Sequence, residues 1–165
     1  MSERQFIPAR AEMEQILQEE SIGYLGMAVN GTPYVVPLNY AYVEGKILFH
    51  CALTGKKLEY IEKNPRVCFS VGRQYGPVRP HGDGDPCHVD SDSVICYGLA
   101  RIVTEPVERK RVLDSFNHSF DPDADGISVE DAANCCAVEI RIQEMTGRRE
   151  RERQRTFWRW RFDDD

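Results

Sequence analysis

No stretch of the sequence approaches the ~20 consecutive apolar residues of a bilayer-spanning helix, which points away from a membrane protein. The start, Met1-Ser2-Glu3-Arg4, lacks the basic-then-apolar pattern of a secretory signal, so the expectation is a cytoplasmic protein. The six cysteines include no C-x-x-C pair, so a structural zinc site is unsupported. They would read as a disulfide framework only in a secreted chain. Excess positive charge is missing too. The 21 Lys and Arg are outnumbered by 27 Asp and Glu, leaving a net charge of −6. Nucleic-acid binding wants a basic face, so no nucleic-acid partner is expected. There is no internal repeat and no low-complexity tract. What remains is 165 residues, 41% of them hydrophobic, enough for a packed core in one compact domain with or without a tail.

One local exception to the acidic balance lies at the C-terminal end. From Arg148 to Arg161, arginines interleave with glutamates and then with Phe157, Trp158 and Trp160. Arginine and aromatic side chains together can stack on bases, but the glutamates and Asp163-Asp164-Asp165 dilute that field. The alternative is a solvated segment, or one packed on a partner subunit. Residues 148–165 are therefore set apart from a main domain over 1–147.

Along that domain the hydrophobic pattern changes period several times. Met13, Ile16 and Leu17 repeat at helical spacing within 9–20. Ile22 to Val29 is apolar and ends at Asn30-Gly31, a hairpin signal. Tyr34 to Val43 is rich in β-formers, and Pro37 within it argues for an edge strand or a bulge, since proline cannot donate to the ladder. Glu44-Gly45-Lys46 turns into Ile47 to Ala52. Residues 54–64 read as a helix with Thr54 as N-cap and Leu58 and Ile61 on one face, stopped by Asn64-Pro65. A strand follows over Arg66 to Val71, then a long polar loop over 73–90. Ser93 to Val103 reads as a strand. Glu105-Pro106 opens a helix through about Phe120, with proline in the first turn. Cys136 to Ile142 alternates as a final strand, and adjacent Cys135 and Cys136 point to opposite faces. About six hairpin-linked strands with few helices predict a mostly β protein: a small antiparallel β-barrel with flanking helices.

The informative local feature is Thr54-Gly55-Lys56-Lys57. Two lysines in a helix's first turn sit at the positive end of its dipole, unfavourable by about 0.3–1 kcal/mol each. The free amides of that turn point the same way. A bound anion, most often phosphate, would turn both liabilities into a site; otherwise both lysines simply reach solvent.

The span Phe49-His50-Cys51-Ala52-Leu53-Thr54-Gly55-Lys56-Lys57 through Asn64-Pro65-Arg66-Val67 resembles the pyridoxamine 5′-phosphate oxidase-like, FMN-binding split-barrel superfamily. Within it, Pro33-Tyr34-Val35-Val36-Pro37-Leu38-Asn39-Tyr40, Ile47 to Ala52, Gly55-Lys56-Lys57, and Ser93-Val94 with Gly98 resemble the branch of the 5-nitroimidazole resistance proteins. The likeness covers roughly residues 10–145. It implies a homodimer with FMN between subunits. It places the cofactor against Val35, Val36, Pro37, Leu38, Asn39 and Tyr40, with backbone atoms of Leu38 and Asn39 facing the isoalloxazine ring. His50 and Cys51 become cofactor-lining positions, Gly55, Lys56 and Lys57 hold the phosphate, and Ser93 matches a flavin contact. Ser91 stands where that branch often carries an aromatic residue.

The function so implied is an oxidoreductase reducing a small molecule, such as a nitroaromatic, by hydride transfer. His50 is the candidate proton or hydrogen-bond donor, with a purely structural histidine as the other reading. The competing function is a non-catalytic flavin- or haem-binding storage or sensor protein, in which His50 serves as an axial haem ligand. His81, Asp83, Asp85, Cys87 and His88 carry metal-ligating side chains, but their spacing matches no closed site; a flexible loop near the cofactor mouth is the expectation, with no metal.

Overall fold

The computed structural model describes residues 4–82, 84 and 86–163. In chain order the elements are β1 (Phe6–Ile7), α1 (Arg10–Glu19), β2 (Ile22–Val29), β3 (Thr32–Asn39), β4 (Ala41–Val43), β5 (Lys46–Cys51) and α2 (Lys56–Lys63). Then follow β6 (Arg66–Arg79), β7 (His88–Val103), α3 (Pro106–Phe120), α4 (Val129–Ala132), β8 (Cys136–Arg151) and β9 (Gln154–Arg161). Two tight turns are built as their sequences dictate. Asn30 and Gly31 join β2 to β3 at φ 49° and 78°, and Glu44 and Gly45 join β4 to β5 at 48° and 79°. Both are left-handed pairs that match the strand twist.

Strands pair in the order β1-β9-β8-β7-β6-β2-β3, with β5 also on β8 and β4 on β5. All pairings are antiparallel except β1 with β9. The split lies in β8. Its first half, Cys136–Arg141, pairs with β5, and its second half, Glu144–Arg151, pairs with β9. The register with β7 slips between Tyr97 and Gly98, where Gln143 is the extra residue. The expected barrel is thus not closed by hydrogen bonds: among the described residues β3 pairs only with β2, and β4 only with β5. The chain itself joins these two strands, bending at Tyr40, whose amide donates to Ser21 O at 3.3 Å. An edge position for β3 is one of the two arrangements Pro37 allowed, the other being a bulge.

The core fills the inside of this split sheet. Met13, Ile16 and Leu17 of α1 and Leu58 and Ile61 of α2 cover it together with Leu25, Phe49, Phe69, Val94, Ile140 and Met145. A second cluster lies on the other side of β5 and β8, where Val112, Leu113 and Phe116 of α3 pack on Leu48 and Ala137. Glu105 caps α3, its carboxylate accepting from the amides of Val107 and Glu108, with Pro106 in the first turn as anticipated.

Three expectations change. The segment 73–90 is not one long loop, because β6 runs to Arg79 and β7 starts at His88. Most of that hairpin is solvent-facing, so its residues carry no apolar alternation to read. Residues 148–161, set apart in the sequence, complete β8 and form β9 of the same sheet, with Trp158 in the core. The turn between them, Glu152-Arg153, has φ 47° and 69° without a glycine to announce it. Thr54 does not cap α2; Gly55 occupies that position.

Gly98 shows how tightly the slip is built. A Cβ there would collide with the Arg141 carbonyl oxygen, a backbone atom fixed by the β7–β8 ladder. Overpacking costs about 1–3 kcal/mol where side chains can shift, and here only backbone can move. Gly98→Ala is expected to lower stability by about 3 kcal/mol, seen as a lower urea midpoint; an unchanged midpoint would show the slip to be pliable.

Candidate functional site

The start of α2 holds the residues expected to take a phosphate. Gly55 has φ 149° and ψ 164°, a region open essentially to glycine alone, although a Cβ would meet no neighbour there. This conformation turns the chain from β5 into the helix. Gly55 O accepts from the amides of Leu58 and Glu59 at 3.0 and 3.2 Å, and no side chain caps the helix. The amides of Lys56 and Lys57 in the first turn therefore have no intrahelical acceptor.

The two lysines diverge from this point. Lys56 Nζ lies 4.4 Å from the centroid of the Tyr34 ring on β3 and 5.6 Å from that of Tyr60, the two rings being 5.3 Å apart. Lys57 Nζ lies 5.7 Å from the Phe49 ring on β5. Among the described residues neither ammonium pairs with a carboxylate within 4.0 Å. The start of α2 thus sets one cation against a ring of β3 and the other against a ring of β5, and this is the candidate cofactor mouth. Cys51 lies within reach of the Lys57 charge: burial pushes its thiol up, while that charge pulls it back.

The other expected residues fall in different places. Along β3, Val35, Pro37 and Asn39 are exposed, while Val36 and Leu38 are half-buried against the core. Proline on an edge strand is tolerated where its missing N–H would have faced outward. Pro33, Val35, Pro37 and Asn39 share one direction by strand alternation, so the amides of Val35 and Asn39 are the donors this open edge offers. Tyr40 is in the core at 1% exposure, its hydroxyl donating to Leu17 O at 2.7 Å; its side chain does not reach the mouth. His50 is exposed and turned to the α3 side of β5, its ring edge-on to Phe116 at 4.8 Å. Cys51, one residue on, faces the Lys57 side instead.

Ser93 is not brought to this mouth within one chain. It lies on the outer face of β7, in a groove of about 470 Å³ lined by Arg4, Phe6, Tyr97, Arg148, Phe157 and Arg159 among others. No residue of β3, β5 or α2 lines that groove. Arg159 Cζ sits 3.9 Å above the Phe6 ring and Arg4 Cζ 4.9 Å above Phe157. Sequence reasoning missed this cationic, aromatic groove; the alternating Phe157, Arg159 and Arg161 carried the signal of an outward strand face. Of the loop considered for metal, Asp83 and Asp85 lie outside the described residues. Among the described residues no group of three or more potential ligands gathers. No described helix is long and apolar enough to cross a membrane.

Against this geometry, comparison with known proteins is informative. The sequence matches the model of the pyridoxamine 5′-phosphate oxidase family over residues 9–149. The chain belongs to that family. Three solved structures are similar to this chain in fold. A candidate 5-nitroimidazole antibiotic resistance protein from Bacteroides thetaiotaomicron is 23% identical with a TM-score of 0.72, over 86% of this chain and 84% of that one. An FAD-binding protein from Mesorhizobium loti is 26% identical with a TM-score of 0.65, over 87% and 96%. An FAD- and haem-binding protein from Mycobacterium smegmatis is 14% identical with a TM-score of 0.77, over 96% and 76%. Among curated proteins no sequence matches.

Proposed function

We propose that the protein binds FMN, with the flavin phosphate on Lys56, Lys57 and the first-turn amides of α2, and uses it to reduce a small molecule. The observation that carries this reading is the pair of ammonium groups without carboxylate partners among the described residues, at an uncapped helix start. Phosphate supplies the negative charge and the acceptors that this start lacks. The donor set therefore fits the group. The open edge of β3 offers the Val35 and Asn39 amides to the ring, and Cys51 lines the far side of the mouth. A bound flavin would supply the two-electron chemistry, while the chain supplies position and hydrogen bonds.

Ser93 then acts from a second copy of the chain. Its groove is separate from the α2 mouth, so a homodimer, with the flavin between subunits, is the arrangement in which both contact one cofactor. The likeness to a candidate nitroimidazole resistance protein makes nitroaromatics the first substrates to screen.

A second reading is favoured by the placement of His50. Its imidazole is exposed beside Phe116 on the side away from Lys57, and two structural neighbours are an FAD- and haem-binding protein and a flavocytochrome. In that reading His50 ligates a haem. An absorption spectrum of freshly purified protein, with the released cofactor identified by chromatography, separates the two. FMN is the expected result, retained in His50→Ala. A haem spectrum lost in His50→Ala would favour the second reading. Colourless protein that also refuses added FMN would overturn both.

A further inference from the structure

Cys51 ends β5 and Cys136 begins β8, and the two are register partners on the last rung of that antiparallel ladder. Directly opposed residues place their side chains on the same face, with Cα atoms about 4.5–5.5 Å apart. A disulfide spans Cα separations of about 4.4–6.8 Å. Both side chains are half-buried against the same core cluster, beside Phe49 and Val138. Cys135 turns to the opposite side, against the cluster of Val103 and Leu113. The Cys136 thiol faces the Leu53 carbonyl oxygen at 4.0 Å. Terminal rungs of a ladder fray at little cost, so the two sulfurs have the freedom to meet and to separate. Lys57 adds a cation that favours the thiolate of Cys51 against the effect of burial.

We propose that Cys51 and Cys136 form a reversible dithiol–disulfide pair, a redox modification site whose oxidant is a small-molecule disulfide. The thiolate of one cysteine attacks a sulfur of the external disulfide R–S–S–R, giving a mixed disulfide and releasing RS⁻. The second cysteine, as thiolate, displaces the other RS⁻ and closes the Cys51–Cys136 bond. The two protons lost by the cysteines are taken up by the two RS⁻, so the external disulfide leaves as two thiols, reduced by two electrons. An excess of external dithiol reverses both exchanges. The bond would fix the rung just before the 52–55 segment that leads to Lys56 and Lys57, and it forms whether or not that segment holds a phosphate.

The test uses the reduced full-length protein, incubated with oxidised glutathione, alkylated at the remaining thiols and digested with trypsin for mass spectrometry. The expected product is residues 47–56 joined to residues 112–141 within one chain, abolished by dithiothreitol. The second peptide holds both Cys135 and Cys136, so variants assign the sulfur. C135S keeps the link, whereas C51S and C136S each lose it while retaining the wild-type circular dichroism spectrum. If either of these two misfolds, the link in wild type and in C135S still decides. Unlinked peptides from wild type, a link that survives in C136S, or a link only between chains would overturn the proposal.

Discussion

Replacing Lys56 and Lys57 together by alanine is expected to weaken FMN binding by about two to four orders of magnitude while leaving the fold intact. Each ammonium–phosphate hydrogen bond contributes about 1.5–3 kcal/mol. Two of them amount to about 3–6 kcal/mol, and every ~1.4 kcal/mol is tenfold in affinity. Among the described residues neither lysine has a carboxylate partner to lose. The contact of Lys56 with the Tyr34 ring is worth about 0.5–1 kcal/mol at an exposed site. Removing each cation from the positive end of α2 returns about 0.3–1 kcal/mol, so the two effects nearly cancel in stability. Calorimetric titration with FMN reads the affinity, and a urea melt reads the fold. An unchanged affinity in a folded variant would remove the phosphate from this helix.

The second large effect lies away from the site, at Asp92. Its side chain is fully buried between β7 and the end of β8, facing Arg149 at 2.9 Å, Arg151 at 3.1 Å and Arg73 at 3.3 Å, with the Tyr75 hydroxyl donating at 3.0 Å. Burial alone would raise its pKa, but hydrogen bonds from Arg149, Tyr75 and Arg151 outweigh it and hold the carboxyl far below its ordinary range. Asp92→Asn keeps the shape and removes the charge, leaving Arg149 and Arg151 without a carboxylate among the described residues. Breaking a buried pair costs about 3–5 kcal/mol. The arginines are 36% exposed and partly solvated, which places the expected loss near the lower end, about 3 kcal/mol. Because the folded-state pKa is depressed, this contribution is complete above the unfolded pKa of about 4 and fades as pH falls through the folded value. The gap between wild-type and D92N urea midpoints should thus be constant from pH 7 to pH 5 and shrink in stronger acid. A gap already gone at pH 5, or absent at pH 7, would show that the cluster does not hold the hairpin.

Where local pattern and burial coincide, the sequence was readable. The helical spacing of Met13, Ile16 and Leu17, the Asn30-Gly31 turn and the Glu105-Pro106 helix start all appear in the structure, and of the edge or bulge that Pro37 called for, the structure has the edge. The family and the mostly β fold were also legible, through the block around Gly55-Lys56-Lys57. The extension of β6 and β7 was not, because its residues turn to solvent or to the Asp92 cluster, and charged pairs leave no period-two apolar trace. Nor was β9, whose arginines occupy the outward face while Trp158 enters the core and Trp160 packs against it. The direction of His50 was hidden for another reason. On β5 both faces are covered, one by the main core and one by α3, so alternation cannot say which side faces the cofactor mouth.

The most direct test of the account is equilibrium titration of flavin-free protein with FMN and, separately, with riboflavin, which differs by the phosphate. If the uncapped start of α2 recognises that group, FMN binds at least about 100-fold more tightly in the wild type, and the preference collapses toward unity in the Lys56→Ala, Lys57→Ala variant. Equal affinity of the wild type for the two flavins would contradict the account.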